Sequence, residues 1–113
     1  MTEARRQTLL WLAQRASAAV LAVCVTAHLA TIFYVAREHL GAAEILDRTR
    51  GSWMLAMFYA VFVVAAAVHA PLGVRAICEE WLGWRGRPLD RATLVAAALL
   101  LAPGLGAVWA VFA

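Results

Sequence analysis

Apolar and polar residues fall in long blocks along this chain, with no fine alternation between them. Three uncharged stretches run from Ala16 to Ala36, from Gly51 to Val74 and from Ala92 to Ala113. Each is long enough to cross a bilayer, since about 20 helical residues at a rise of about 1.5 Å span the hydrocarbon core. Helix is the conformation expected for each, because an isolated strand would leave backbone groups unpaired in lipid. The pattern predicts an all-α fold, an integral membrane bundle of three transmembrane helices at about 16–36, 51–75 and 92–112, in a single domain over residues 1–113. Two short polar segments, residues 37–50 and 75–91, separate the blocks. The stretch 75–84 is expected to carry the second helix out of the membrane, with Gly83, Gly86 and Pro88 ending it. Pro103, Gly104 and Gly106 predict a kink in the third helix or a close approach by a neighbour.

Composition supports the membrane assignment. The 113 residues are 65% hydrophobic and 15% charged, with a mean hydropathy of +0.77. So small a domain has too little interior to hide that apolar surface, and lipid must be part of its solvent. A cleaved leader is not expected, because Arg15 interrupts the first run and the stretch beyond it is too long for a signal-peptide core. The net charge of +3 does not point to nucleic acid: all ten basic residues are arginines, nearly all at the edges of apolar runs. Arginines there set topology and meet lipid headgroups. The N-terminal segment and the second connection share a side and hold seven arginines, against three in the first connection. The positive-inside rule then places the N-terminus in the cytoplasm and the C-terminus outside, in a multi-pass protein of a bacterial-type inner membrane. Trp11, Trp81 and Trp84 suit the membrane–water interface. Cys24 and Cys78 form no CxxC pair and read as small apolar filler.

Ionisable side chains within a span are expensive, which singles out His28 in the first and His69 in the second. Neither has an acid in its own span. Hydrogen bonds to serine, threonine or a carbonyl can hold a neutral imidazole in a membrane, and imidazole on a membrane helix is also an axial ligand for haem iron. The surroundings favour the ligand. Phe58, Phe62, Ala65, His69, Gly73 and Ala76 share one helix face, and Ala65 and Gly73 leave room for a flat macrocycle a turn on either side of His69. Small residues there also serve close helix packing. Ser17, Leu21, Cys24, His28, Thr31 and Val35 form a stripe expected to turn inward. Pro71 removes the hydrogen bond to the Ala67 carbonyl, which gives either an ordinary kink or a free acceptor for the second ring nitrogen of His69. His39 lies beyond Arg37 and Glu38 and reads as a surface residue.

The run His69-Ala-Pro-Leu-Gly73-Val-Arg75 resembles the cytochrome b membrane anchors of succinate dehydrogenase and fumarate reductase, whose haem helix carries H-x-x-x-G-[apolar]-R. That family's motif often continues with a histidine and an acid; Ala76 replaces the former here, and Glu79 stands for the latter. Gln14-Arg15-Ala16-Ser17-Ala18 is similar to the family's H-R-x-S-G, with Gln14 and Ala18 in place of histidine and glycine. The resemblance covers roughly residues 9–80. It implies that His69 is an axial ligand of haem b and that Arg15 and Ser17 lie near a quinone site and the haem propionates. It also implies flavoprotein and iron–sulfur partner subunits on the arginine-rich cytoplasmic side. Arg15, Arg75, Arg85 and Arg87 are candidates for pairing with propionates, or simply topology arginines.

Depth bears on how His28 and His69 bind. Counted from Arg15 and Arg75, His28 is about 18–20 Å deep and His69 about 9 Å. Two imidazoles on one iron place their nitrogens only about 4 Å apart. The two histidines are therefore expected to serve different haems, each site completed by a second histidine from a homodimer partner or a second small anchor subunit. The chain has no dinucleotide fingerprint, no P-loop and no iron–sulfur cysteine framework, so dicarboxylate chemistry is expected elsewhere in the complex. The expected role is that of an anchor subunit of an oxidoreductase, passing electrons between the iron–sulfur subunit and quinone. The alternatives are a haemless anchor, or a small proton or solute transporter subunit using the intramembrane histidines.

Overall fold

A computed structural model describes residues 2–113. They form four helices: α1 (Glu3–Arg37), α2 (Ala42–Thr49), α3 (Trp53–Trp81) and α4 (Arg87–Phe112). No strand occurs among the described residues. Three helices, α1, α3 and α4, are long and apolar enough to cross a membrane, as the blocks of the sequence predict. The molecule measures 50 × 24 × 23 Å. At 35 residues, α1 is about 52 Å long and overreaches a hydrocarbon core of roughly 30 Å. The helices thus run past the apolar runs that define the spans. α1 begins at Glu3 rather than near Ala16, and α3 continues to Trp81.

Local chemistry sets the helix ends. The Thr2 hydroxyl accepts from the Arg5 N–H at 3.2 Å and starts α1. Ser52 does the same for α3, accepting from the Leu55 N–H at 3.3 Å. α1 closes in a Schellman turn, with Leu40 N–H donating to Val35 C=O and His39 N–H to Ala36 C=O. His39 takes the left-handed conformation there, with φ of +53°, a position glycine usually fills. Its side chain is exposed, as expected of a surface residue.

α2 departs from the sequence reading, which left residues 37–50 as a polar connection. Ala42, Ile45, Leu46 and Thr49 fall on one face of this short helix. The Glu44 carboxylate accepts from the Gly41 N–H at 2.7 Å. At the other end, the Thr49 hydroxyl donates to Val111 C=O at 2.9 Å and the Gly51 N–H to Phe112 C=O at 2.9 Å. Those carbonyls belong to the last turn of α4, where no partner within the helix exists.

α3 is the central helix, packed against both α1 and α4, while α2 packs on α4. The buried residues are few and mostly small: Ser17, Cys24, Ala65, Ala67 and Pro71, with Leu89 and Arg75. Large apolar side chains such as Val23, Phe33, Met54 and Leu99 face outward, where lipid is their solvent. Small residues let membrane helices approach closely, so dispersion holds them together. At Gly104 an added Cβ would lie 2.6 Å from Val63 Cγ1, the close approach predicted for the Pro103–Gly106 segment, whereas Gly106 faces open space. α3 runs unbroken through Pro71 and α4 through Pro103.

Candidate functional site

The interface between α1 and α3 holds both membrane histidines. On α1, Ser17 and Cys24 are buried and Leu21, His28 and Val35 half-buried, so most of the expected stripe turns inward. Thr31 is the exception; it is exposed and bonds back to Ala27 C=O at 3.0 Å. His28 Nδ1 lies 3.0 Å from the Tyr59 hydroxyl on α3, and its ring meets Tyr59 and Phe62 edge-on. Tyr59 is the only hydroxyl between Ser52 and His69, a signal in the sequence that the histidine reading passed over.

His69 has no such partner. The ring is half-buried, and Nδ1 is fully enclosed without a hydrogen bond. The Ala67 carbonyl freed by Pro71 does not reach it. No hydrogen bond to the ring forms among the described residues, and Nδ1 is fully enclosed. Ala65 is buried one turn before. Gly73, one turn after, faces Gln14, whose Nε2 would stand 3.4 Å from an added Cβ. Gln14 Oε1 is likewise buried and unpartnered. An enclosed polar atom lacking a partner is uncommon. Here one belongs to an imidazole with small residues a turn away on either side, a donor set that suits one axial position on a haem iron.

The structure does not bring His28 and His69 together. α1 and α3 are antiparallel, with Gln14 beside Gly73 and His28 beside Tyr59 and Phe62. His69 lies seven residues beyond Phe62 and ten beyond Tyr59, so the histidines differ in level by about 10–15 Å. Among the described residues, no three of His, Cys, Asp and Glu converge on a common point. Cys24 and Cys78 are both free, the first buried.

Arg75 is 6% exposed, and carboxylates hold it. It donates to Asp90 at the start of α4 and to Glu79 one turn along α3, the latter at 3.0 Å. Arg6 of α1 also donates to Asp90, at 2.6 Å. Asp90 thus ties α1, α3 and α4 together at one end of the bundle. Two of the Arg75 donor groups are therefore taken within the chain, which narrows its scope for pairing with a propionate. Asp90 was not singled out from sequence, although an acid in the first turn of a helix is a recognisable feature. Arg15 behaves differently. It is exposed, it pairs with no carboxylate among the described residues, and its guanidinium lies over the Trp11 ring, 5.2 Å from the centroid. Ser17 is 5% exposed and donates to Gln14 C=O at 3.1 Å. It lines an open apolar groove of about 480 Å³ with Ala16, Val20, Val61, Ala65 and Val68. A more polar crevice of about 300 Å³ lies between Trp11, Gln14, Arg75, Glu79 and Glu80.

The family model described as the succinate dehydrogenase/fumarate reductase transmembrane subunit matches residues 1–108. No curated protein and no solved structure matches the chain.

Proposed function

Because the chain belongs to the succinate dehydrogenase/fumarate reductase transmembrane-subunit family, we propose that it is a cytochrome b anchor that binds haem b through His69. The family forms the membrane part of an oxidoreductase complex and associates with its other subunits. In this reading the chain adds an electron path between an iron–sulfur subunit and quinone, while a flavoprotein carries the dicarboxylate chemistry. Haem, when bound, supplies a one-electron centre whose potential the apolar protein shell tunes.

The observation that carries the haem reading is the state of His69: Nδ1 enclosed without a hydrogen bond, and Ala65 and Gly73 a turn away on either side. His69 would hold the iron and Gly73 would leave space for the ring. Arg15, free of carboxylates, is better placed to meet a propionate than Arg75. Ser17 lines the α1–α3 groove, which supports a role at a quinone pocket. The level difference supports separate sites for His28 and His69, each completed by a second copy or a second small anchor subunit. The seven arginines near the Asp90 end favour that end as the cytoplasmic face, in a bacterial-type inner membrane, where the soluble subunits would dock.

A second reading applies to His28 alone. Its hydrogen bond to Tyr59 favours a structural polar pair. Reduced-minus-oxidised spectra and a pyridine haemochrome count on the purified complex separate the possibilities. The b-type α-band is expected in the parent and is lost in part in His69→Leu. A further partial loss in His28→Leu supports two sites, and an unchanged band there supports the structural pair. No α-band in freshly purified complex would overturn the haem reading in favour of a haemless anchor. Loss of the whole band in either variant, with the complex intact, would sink the separate-site arrangement.

A further inference from the structure

Among the described residues, two enclosed side-chain atoms have no hydrogen-bond partner: Nδ1 of His69 and Oε1 of Gln14. Both sit where α1 meets α3. On α3, Phe62 packs on His28 and Gly73 stands against the Gln14 amide, and His69 lies between them on the same face. Gln14 thus meets α3 one helical turn, about 6 Å, beyond the level of His69.

The two unpaired atoms are complementary. An amide oxygen only accepts. An imidazole that gives one nitrogen to a metal carries its proton on the other, which can then only donate. An enclosed Nδ1 has no room for a macrocycle, so ligation falls to Nε2 and the proton to Nδ1. A ligand imidazole almost always hands that proton to a carboxylate, a carbonyl or a water, which fixes the ring and raises its basicity. The Ala67 carbonyl does not reach the ring. Ser17 shares the interface, but its short side chain is tied to the Gln14 carbonyl at 3.1 Å. Gln14 is longer, with three side-chain torsions, and no hydrogen bond holds its amide oxygen in place.

We propose that Gln14 is a positioning residue for His69: its amide oxygen swings across the turn to accept from Nδ1–H when Nε2 takes an axial place on haem iron. The inference rests on the haem reading above and names the residue of α1 that orients the ligand of α3. Gln14 does not touch the iron; it fixes the tautomer and the plane of the ring. A redox titration of the purified full-length complex tests it, with haem content measured alongside. The component to follow is the one that His69→Leu removes. Gln14→Leu deletes the acceptor at similar size and leaves a less basic imidazole, which stabilises ferric iron less. It should raise the midpoint potential of that component and weaken haem retention about 10–100-fold, the usual cost of losing the outer partner of a metal ligand. Gln14→Glu keeps an acceptor oxygen and should retain haem, with the potential at or below that of the parent. A purely structural role would move both variants in the same direction, and that result would overturn the proposal. So would a shift in Ser17→Ala with none in Gln14→Leu, which makes the serine the acceptor. Where Gln14→Leu does not assemble, Gln14→Glu decides alone, and lost haem or a raised potential there counts against Gln14. A parent-like potential and haem content in Gln14→Leu would sink this inference and leave the haem reading standing. No α-band in the parent removes the haem reading itself, and this inference with it.

Discussion

The Tyr59 phenol gives His28 the hydrogen bond that an imidazole in hydrocarbon otherwise lacks. Tyr59→Phe should therefore destabilise the bundle by about 0.6 kcal/mol, with a ceiling near 1.7, the range found for polar contacts between membrane helices. Unfolding in mixed micelles by a denaturing detergent measures it. Asp90→Ala should cost more, since it leaves the Arg75 charge enclosed with only Glu79 and Arg6 with only the exposed Glu3. Removing one partner of a fully buried pair costs about 3–5 kcal/mol. The side chain of Asp90 is 37% exposed, which brings the expected loss down to about 2 kcal/mol in the same assay. At this scale the sequence was legible where residues are spaced along one helix: Phe58, Phe62, Ala65, His69 and Gly73 share a face of α3 that is buried or half-buried. It was not legible for Tyr59 or Asp90. Their partners lie on other helices, and the register between α1, α3 and α4 has no signature in a single run of residues.

Helices were legible in existence and in order, because a run of about 20 apolar residues admits little else in a membrane. Their ends were less so. Apolarity marks where the lipid stops, while α1 continues thirteen residues further on the strength of its Thr2 cap and good helix formers. α2 escaped notice for a different reason. Eight residues do not hold a helix on their own, and this one is fixed by contact with α4. The two glycines of α4 also differ in kind. Gly104→Ala would drive a methyl group into Val63, and a loss of about 1–3 kcal/mol is expected from overpacking. Gly106→Ala meets nothing within 4 Å and should be neutral or slightly stabilising through helix propensity. Thermal melts of the two variants in one detergent make the comparison.

Across the whole molecule, charge is lopsided: seven arginines lie towards the end where Arg6, Arg75 and Asp90 meet, and three towards the α2 end. A reporter active only outside the cytoplasm should work when fused after Ala113 and fail when fused before Thr2, if the arginine-rich end stays inside. The reverse result would invert the proposed docking face. The α2 end raises a different issue, one of timing. Thr49 and Gly51 donate hydrogen bonds to carbonyls in the final turn of α4, so the link between the first two spans is latched by the third. During synthesis α1 and α3 leave the ribosome before α4 and can pair as a hairpin. That hairpin keeps a loose connector until α4 has crossed the bilayer. Closure of this end of the bundle therefore waits on α4, because without it Thr49 and Gly51 lose the carbonyls of Val111 and Phe112.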